Sequence, residues 1–254
     1  MPDFPQIEVS EKVLGMNMLS ILDLLTKYPI VTRKLLLIRP LRLDRPEEVG
    51  LNKVADALVK KAKDAHWDVT DLKGNSATPN NIQNNIKNWK PDFVVYYGHS
   101  SNSNIPGQEN DQLKTAISAS NVSLLSNITA SITACHTMIS VGDPAIKAGA
   151  IGYLGYNVSF LGLFGQLYDH DFTEAANAAN IALLNGEKYS EAKDKGFNRW
   201  KQFYTDLKNY LKTHPNVKID PTIPPGLLAN ANGLDYLGDP NAVARPIGIL
   251  LATP

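Results

Sequence analysis

The sequence has little cysteine: Cys135 is the single one among 254 residues. One cysteine cannot form a disulfide within the chain, which excludes the class of small disulfide-rich secreted domains. A reducing compartment is the simplest setting for such a chain, so we expect a cytoplasmic protein. Residues 1–8 carry acids and prolines before any apolar run, and this pattern is not typical of a signal peptide.

An excess of charge of either sign is also missing. The 25 Lys and Arg residues balance the 25 Asp and Glu residues, so the formal net charge is zero. Proteins that bind nucleic acids need a basic surplus or patch, which this balance argues against. No stretch approaches the roughly 18 uncharged apolar residues that a membrane-spanning helix needs. We therefore expect neither nucleic acid nor a membrane as a partner.

Short apolar runs alternate with segments of helical periodicity along most of the chain. Continuous apolar runs are typical of strands buried on both faces of a parallel sheet. The predicted strands cover 34–38, 67–72 near a sheet edge, 92–97, the end of 126–134, and 148–155. The predicted helices cover 49–66, 78–87, 143–147, 163–185 and 188–213. This alternation predicts an α/β fold of three layers, α/β/α, with a mainly parallel, doubly wound sheet.

The domain prediction is a single α/β domain over 1–254. Its parts are an N-terminal helical extension, a core, and an irregular tail rich in proline and glycine, over 1–30, 34–213 and 214–254. Within the tail, 247–251 is compatible with a short final strand. Ser, Asn, Gly and Pro dominate the segment 100–111, which predicts a flexible polar loop.

Two reactive side chains follow two of the clearest predicted strands. His99 comes one glycine after 92–97, and Cys135 comes directly after the strand that ends 126–134. Ligands of open parallel sheets bind outside the carboxyl ends of the strands. If these strands are neighbours, the imidazole and the thiol project into one crevice. An imidazole can take the thiol's proton and later protonate a leaving group, so the pair is typical of nucleophilic catalysis. Backbone N–H groups at the start of the loop after Cys135 could stabilise an oxyanion.

Other interpretations of these residues stay open. A lone cysteine is often a small buried hydrophobe. On that interpretation the protein is an unrelated doubly wound domain whose thiol is inert. His136 adjoins the cysteine, but adjacent side chains on extended backbone point in opposite directions, so His99 is the preferred base. His99, Cys135, His136 and Asp143 could converge on zinc, yet their spacing has no zinc signature. We therefore expect no metal and no cofactor.

The segments around the two reactive residues resemble a known group of proteins. The turn Gly98–Ser101 and the segment Thr133–Thr137, each after an apolar strand, resemble the caspase–gingipain clan of cysteine peptidases. The helix and glycine-rich strand over Gly142–Gly155, and the segment Leu184–Ala192, are most similar to the gingipain-type family. The resemblance covers roughly residues 34–205.

The resemblance implies a cysteine endopeptidase with the clan's α/β fold. By it, Cys135 is the nucleophile and His99 the general acid and base, with no third triad member required. A thioester acyl-enzyme is the implied intermediate, and a peptide or protein is the implied partner.

The resemblance also implies an oxyanion hole at the turn Gly98–Ser100. A glycine commonly follows the histidine in the clan, and its N–H contributes to the hole. Ser100 stands at that position here, and a serine fits only if the turn does not need a positive φ. This difference keeps a second hypothesis open, a catalytically silent module of the same fold that binds or scaffolds other proteins.

Loops after the first and fifth predicted strands form part of the substrate pocket in the clan. Arginines of the first loop would suit an acidic or amide side chain of the substrate: these are Arg39, Arg42 and Arg45. A basic side chain would suit the acids of that loop, which are Asp44, Glu47 and Glu48, or Asp169 and Asp171 further along. A solvated loop of mixed charge is the simpler interpretation of these residues.

Overall fold

The computed structural model describes residues 33–100, 104–162 and 168–244, all within one compact unit. The strands are β1 (Lys34–Arg39), β2 (Asp68–Lys73), β3 (Phe93–Tyr97), β4 (Asn104–Glu109), β5 (Gln112–Ser118), β6 (Thr129–Thr133), β7 (Gly152–Tyr156) and β8 (Leu234–Gly238). The α-helices are α1 (Pro46–Asp64), α2 (Pro79–Asn84), α3 (Asp143–Lys147), α4 (Asp169–Leu184), α5 (Tyr189–Thr213) and α6 (Ile223–Gly233). Of the described helices, none combines the length and the apolar character needed to cross a membrane.

Six of the strands form one sheet in the order β2-β1-β3-β6-β7-β8. The first five strands are parallel, and β8 pairs antiparallel with β7. Among the described strands, β2 lies at one edge of the sheet, as predicted. The chain runs from β1 outward to β2 and then returns to β3 on the other side of β1. Strand order therefore reverses at β1, and such a switch point opens a crevice beyond the carboxyl ends of the neighbouring strands.

Side chains of the central strands alternate between two apolar layers. Leu35 and Leu37 of β1 face the layer formed with α1, α4, α5 and α6. Leu36 and Ile38 face the layer formed with α2, α3 and the β4–β5 hairpin. This period of two follows from the pleat of a strand, and burial of both faces explains the continuous apolar sequence of β1. The structure confirms the predicted α/β/α class.

The segment predicted as a flexible polar loop, 100–111, instead contains strand β4, so that prediction was wrong. β4 pairs antiparallel with β5 in a two-stranded hairpin. Asn110 and Asp111 form its tip with φ of 51° and 60°, as in two-residue turns that suit the twist of a hairpin. Only Ile105 and Ile117 bring branched apolar side chains from the pair into the core, so the sequence carries little strand signal here.

The predicted irregular tail also needs correction. Within 214–244 the chain forms α6 and then β8, which extends the sheet. Pro224 and Pro225 lie in the first turn of α6, where the missing N–H of proline costs no helical hydrogen bond. The N-terminal extension 1–30 and the possible strand 247–251 lie outside the described residues.

The sheet packs closely against α5 at Gly152 of β7. A Cβ at this position would lie 2.6 Å from the ring of Tyr189. The ring is fully buried, and its hydroxyl lies within hydrogen-bond distance of the carbonyls of Ala130 and Gly152. We expect Gly152→Ala to lower the free energy of unfolding by about 2 kcal/mol, as measured by urea denaturation. A loss below about 0.5 kcal/mol would show that the ring can shift freely.

Candidate functional site

The two candidate catalytic residues follow neighbouring strands at the same level. β3 and β6 are parallel neighbours, and Tyr97 pairs with Thr133 at their carboxyl ends. His99 and Cys135 each come two residues after this pair. The register of the strands therefore brings the backbones of His99 and Cys135 to the same level, beyond the carboxyl ends of β3 and β6.

Two hydrogen bonds join the turn after β3 to the turn after β6. The Gly98 N–H donates to the carbonyl of Thr133 at 3.3 Å. The hydroxyl of Ser100 donates to the carbonyl of Cys135. Ser100 thus ties its own turn to the residue that carries the thiol, a contact that sequence reasoning did not foresee.

A buried tyrosine fixes the backbone of His99. The Tyr96 hydroxyl donates to the His99 carbonyl at 2.6 Å. Burial, with the negative charge of Glu48 as a second cause, raises the pKa of Tyr96 well above its usual value, so the hydroxyl keeps its proton. A Cβ on Gly98 would lie 2.6 Å from that hydroxyl oxygen. Gly98 is therefore needed for space.

The imidazole of His99 is oriented by a glutamate at the start of α1, the helix that follows β1. Nε2 lies 3.1 Å from Oε1 of Glu47, in the first turn of α1, and 3.7 Å from Oε1 of Glu48. A carboxylate only accepts, so we assign the ring proton to Nε2, which leaves the lone pair on Nδ1. Hydrogen bonding to its own backbone, and then to His99, lowers the pKa of Glu47. The glutamate is therefore an anion at neutral pH.

Arg42 and Glu48 hold the connection from β1 to α1 in place. Glu48 is buried, and its Oε1 accepts from Nε and Nη2 of Arg42 at 2.9 and 2.6 Å. Its Oε2 accepts from the backbone N–H of Arg42 at 2.5 Å. Hydrogen bonding to Glu48 raises the pKa of Arg42. The pair presents a fixed first turn of α1, from which Glu47 reaches His99.

The thiol of Cys135 is partly exposed and has a backbone donor. The N–H of Phe160, in the loop after β7, donates to Sγ at 3.3 Å, and the thiol in turn reaches the carbonyl of the same residue at 3.9 Å. The bond from the N–H, the shorter of the two, favours the thiolate, since a thiolate can still accept it but can no longer donate to the carbonyl. The same loop is anchored beyond Phe160 by Asn230 of α6, which exchanges two hydrogen bonds with the backbone of Leu161 at 2.9 and 3.0 Å.

In the described ranges, no hydrogen bond joins the ring of His99 to Sγ of Cys135. The ring is held by Glu47, and the sulfur by Phe160. Hydrogen bonds between catalytic groups are often long before substrate binds and tighten afterwards. The structure supports a catalytic pair through the matched positions of His99 and Cys135 after neighbouring strands, and not through a direct contact between their side chains.

Two backbone N–H groups beside the thiol are candidates for an oxyanion hole. Ser100 is not among the described residues with a positive φ, so its side chain causes no strain. Within the part of the chain that is described, no carbonyl accepts the N–H of Ser100 or of Cys135. The N–H groups after Cys135 were also candidates from the sequence, but the first of them, His136, donates to the Val158 carbonyl at 3.0 Å.

The residues suggested for a substrate pocket do not come together. Arg39 is 3% exposed, and its guanidinium donates to Asp71 and Asp56, so the suggestion that it meets substrate was wrong. Arg42 is committed to Glu48. The remaining arginine of this set, Arg45, is exposed, and its Nε lies 3.9 Å from Oδ2 of its neighbour Asp44.

The two acids of α4 are also paired. Asp169 lies 3.0 Å from Lys53 and Asp171 lies 2.6 Å from Arg199. Among the described residues, no group of three His, Cys, Asp or Glu side chains is placed to hold a metal ion.

Comparisons with known proteins bear on the fold. No protein-family model matches the sequence, and no curated protein is significantly similar to it. The solved structure of the Arg-specific cysteine proteinase gingipain R (RgpB) matches with a TM-score of 0.53 at 14% sequence identity, covering 88% of this chain and 52% of that chain. The complex of the pro- and mature domains of RgpB from Porphyromonas gingivalis gives a TM-score of 0.53 at 14% identity, covering 88% and 53%. The chain has a gingipain-like fold.

The gingipain-like fold is the one that the resemblance around His99 and Cys135 implied. The chain spans about half the length of the gingipain R chains that it matches. At 14% identity the match establishes the fold alone, and the chemistry must be argued from the residues of this chain.

Sequence reasoning missed the contact of Glu47 with His99 and that of Phe160 with Cys135. Glu47 was noticed only as one acid in a mixed-charge loop. Its signal was its place at the start of the helix after β1, beside the switch point of the sheet. The donor of Phe160 is a backbone group in a loop, which no side-chain pattern reveals.

Arg39 and Arg45 form a matched pair for testing the corrected role of Arg39. We expect Arg39→Met to lower the free energy of unfolding by about 2 kcal/mol, because it leaves the acids around it without their cation. Arg45→Met, at an exposed position, should change it by less than about 0.5 kcal/mol. Urea denaturation checks both. Unchanged stability of Arg39→Met would contradict the structural role.

Proposed function

We propose that this protein is a cysteine endopeptidase that hydrolyses peptide bonds through Cys135 and His99. The observation that carries the proposal is the matched placement of the two residues beyond β3 and β6, with the imidazole held by Glu47. The gingipain-like fold supports it, since a proteinase shares the architecture. Peptides or proteins are the proposed partners, and no cofactor is needed for the chemistry.

The first half of the reaction forms a thioester. Nδ1 of His99 takes the proton of the Cys135 thiol, and the thiolate attacks the carbonyl carbon of the scissile bond. The carbonyl oxygen becomes an oxyanion, which accepts from the N–H groups of Ser100 and Cys135. The intermediate then collapses: the C–N bond breaks, and the imidazolium gives its proton to the leaving amine.

The second half releases the acyl group. The neutral imidazole takes a proton from water, and the hydroxide formed attacks the thioester carbonyl. The C–S bond breaks, the carboxylic acid product leaves, and the imidazolium returns its proton to Sγ. Glu47, an anion throughout, stabilises the imidazolium that forms in both halves.

The specificity of gingipain R for arginine does not pass to this chain by itself. The acids suggested for a basic side chain, Asp169 and Asp171, already have basic partners. A peptide library with every residue type before the scissile bond is therefore the appropriate substrate.

Labelling with electrophilic peptides tests the nucleophile. We expect wild-type protein to form a covalent adduct at Cys135 and to cleave members of the library. Cys135→Ala should lose both, because the chain has no other thiol, while its stability changes by about 1 kcal/mol. Mass spectrometry of the adduct and of the cleaved peptides gives the readout.

Matched histidines provide the control for the base. His99→Ala should abolish cleavage, whereas His170→Ala, at an exposed position of α4, should retain it. A wild-type protein that cleaves nothing in the library would refute the peptidase proposal and favour a silent module of the same fold. Full cleavage by Cys135→Ala would refute the assignment of the nucleophile.

Glu47→Gln tests the orienting role of the glutamate. Loss of its charge should lower kcat by about 10- to 100-fold, since the imidazolium is then less stabilised in the transition state, whereas KM should change little. Glu174 also lies beside a histidine, His170, at 3.5 Å on the surface of α4. Glu174→Gln is the matched control and should leave kcat unchanged. Equal kcat values for Glu47→Gln and wild type would rule out the role.

A further inference from the structure

His136 makes three contacts with the loop that follows β7. Its backbone N–H donates to the carbonyl of Val158 at 3.0 Å. Its ring atoms Nδ1 and Nε2 lie 3.2 Å from the carbonyl of Asn157 and 3.0 Å from Oγ of Ser159. We call these three contacts the histidine clasp. One residue thus binds three consecutive residues of the loop, over 157–159.

The partners of the ring are compatible with a neutral imidazole and define its tautomer. A carbonyl oxygen only accepts, so Nδ1 carries a proton and donates to Asn157. In the neutral ring Nε2 accepts from the hydroxyl of Ser159, and both nitrogens are satisfied. Of the described residues, those that share a hydrogen bond with His136 are all uncharged, including Ser140, whose hydroxyl donates to the His136 carbonyl at 3.1 Å. The neutral ring is therefore sufficient for the clasp.

The backbone of His136 explains how its side chain can turn toward the loop. Its φ is 51°, in the left-handed region that few residues other than glycine adopt, with asparagine, aspartate and histidine the commonest of them. His136 lies in the turn that directly follows β6 and includes Cys135. Its left-handed conformation costs of order 1 kcal/mol, which the surrounding contacts must offset.

The residue after the clasp, Phe160, donates its N–H to the sulfur of Cys135. Its ring packs edge-on against Tyr156 and Trp200, with centroids 4.7 and 5.9 Å away. Asn230 fixes the next residue, Leu161, through both of its backbone groups. The donor to the sulfur therefore lies between two anchors, the histidine clasp before it and Asn230 after it.

We propose that His136 is a positioning residue for the nucleophile: by clasping 157–159 it holds the N–H of Phe160 on Sγ of Cys135 and so stabilises the thiolate. The proposal rests on the proposed function of Cys135 as the nucleophile. His136 does not touch the reacting atoms, and it acts through the loop. The base remains His99, which follows the neighbouring strand β3.

Alkylation of the single thiol tests this directly. The second-order rate of reaction with iodoacetamide, measured against pH, reports the thiolate without any substrate. His136→Asn keeps a residue that tolerates the left-handed conformation, but its shorter side chain cannot reach both Asn157 and Ser159. We expect the pH of half-maximal alkylation to rise by about one unit and the rate at pH 7 to fall about 5- to 10-fold.

A second pair of variants isolates one contact of the clasp. Ser159→Ala removes the partner of Nε2 and should shift the alkylation profile in the same direction by a smaller amount. Ser159→Thr restores the hydroxyl and should return the profile to that of wild type. His170→Asn, on the exposed face of α4, is the matched control and should not change it. Near-UV circular dichroism confirms folding of each variant.

Three outcomes decide the proposal. An unchanged profile in folded His136→Asn and Ser159→Ala would overturn it. A changed plateau rate at high pH, where the thiol is fully ionised, would show altered access to Cys135 and would overturn it as well. A shifted midpoint with an equal plateau supports it. Because iodoacetamide needs no peptide recognition, this result is independent of whether the wild-type protein cleaves peptides.

Discussion

The candidate site depends on the parallel pairing of β3 with β6 in a single register. Pairing of Tyr97 with Thr133 fixes the levels at which the two following turns begin. It therefore brings His99 and Cys135 together beyond the carboxyl ends of β3 and β6. A slip by one residue would turn one strand's side chains to the opposite apolar layer. The register is therefore protected by the burial of both faces of the sheet, and the geometry of the site follows from the packing of the core.

Each turn of the site is fixed by a group that comes from elsewhere in the chain. The hydroxyl of Tyr96 donates a hydrogen bond to the carbonyl of His99, and that of Ser100 donates to the carbonyl of Cys135. The side chain of Asn230 donates to the carbonyl of Leu161, in the loop that carries Phe160. Buried polar groups of this kind are costly unless they are paired, so they define one arrangement sharply. These contacts help to hold the described parts of the turns in one geometry, as acid–base and nucleophilic chemistry requires.

The sequence predicted the parts of this arrangement that depend on local pattern. The apolar runs of β1, β3 and β6 were identifiable, and with them the reactive residues at their ends. It could not predict contacts that depend on the order of strands: Glu47 reaches His99 because β1 lies beside β3, although β2 intervenes along the chain. Arg39 was misjudged for the same reason, since its acid partners lie 17 and 32 residues away.

The edge strand β2 has a consequence for association with other chains. An edge strand offers unpaired backbone groups to which a strand from another molecule can add. Asp68 and Lys73 are exposed on β2, and Asp71 is held there by Arg39. Charged side chains along an edge oppose such addition, because a second strand would have to desolvate them. The buried arginine that was misassigned to substrate thus helps to hold a charged, costly-to-desolvate side chain at the border of the sheet.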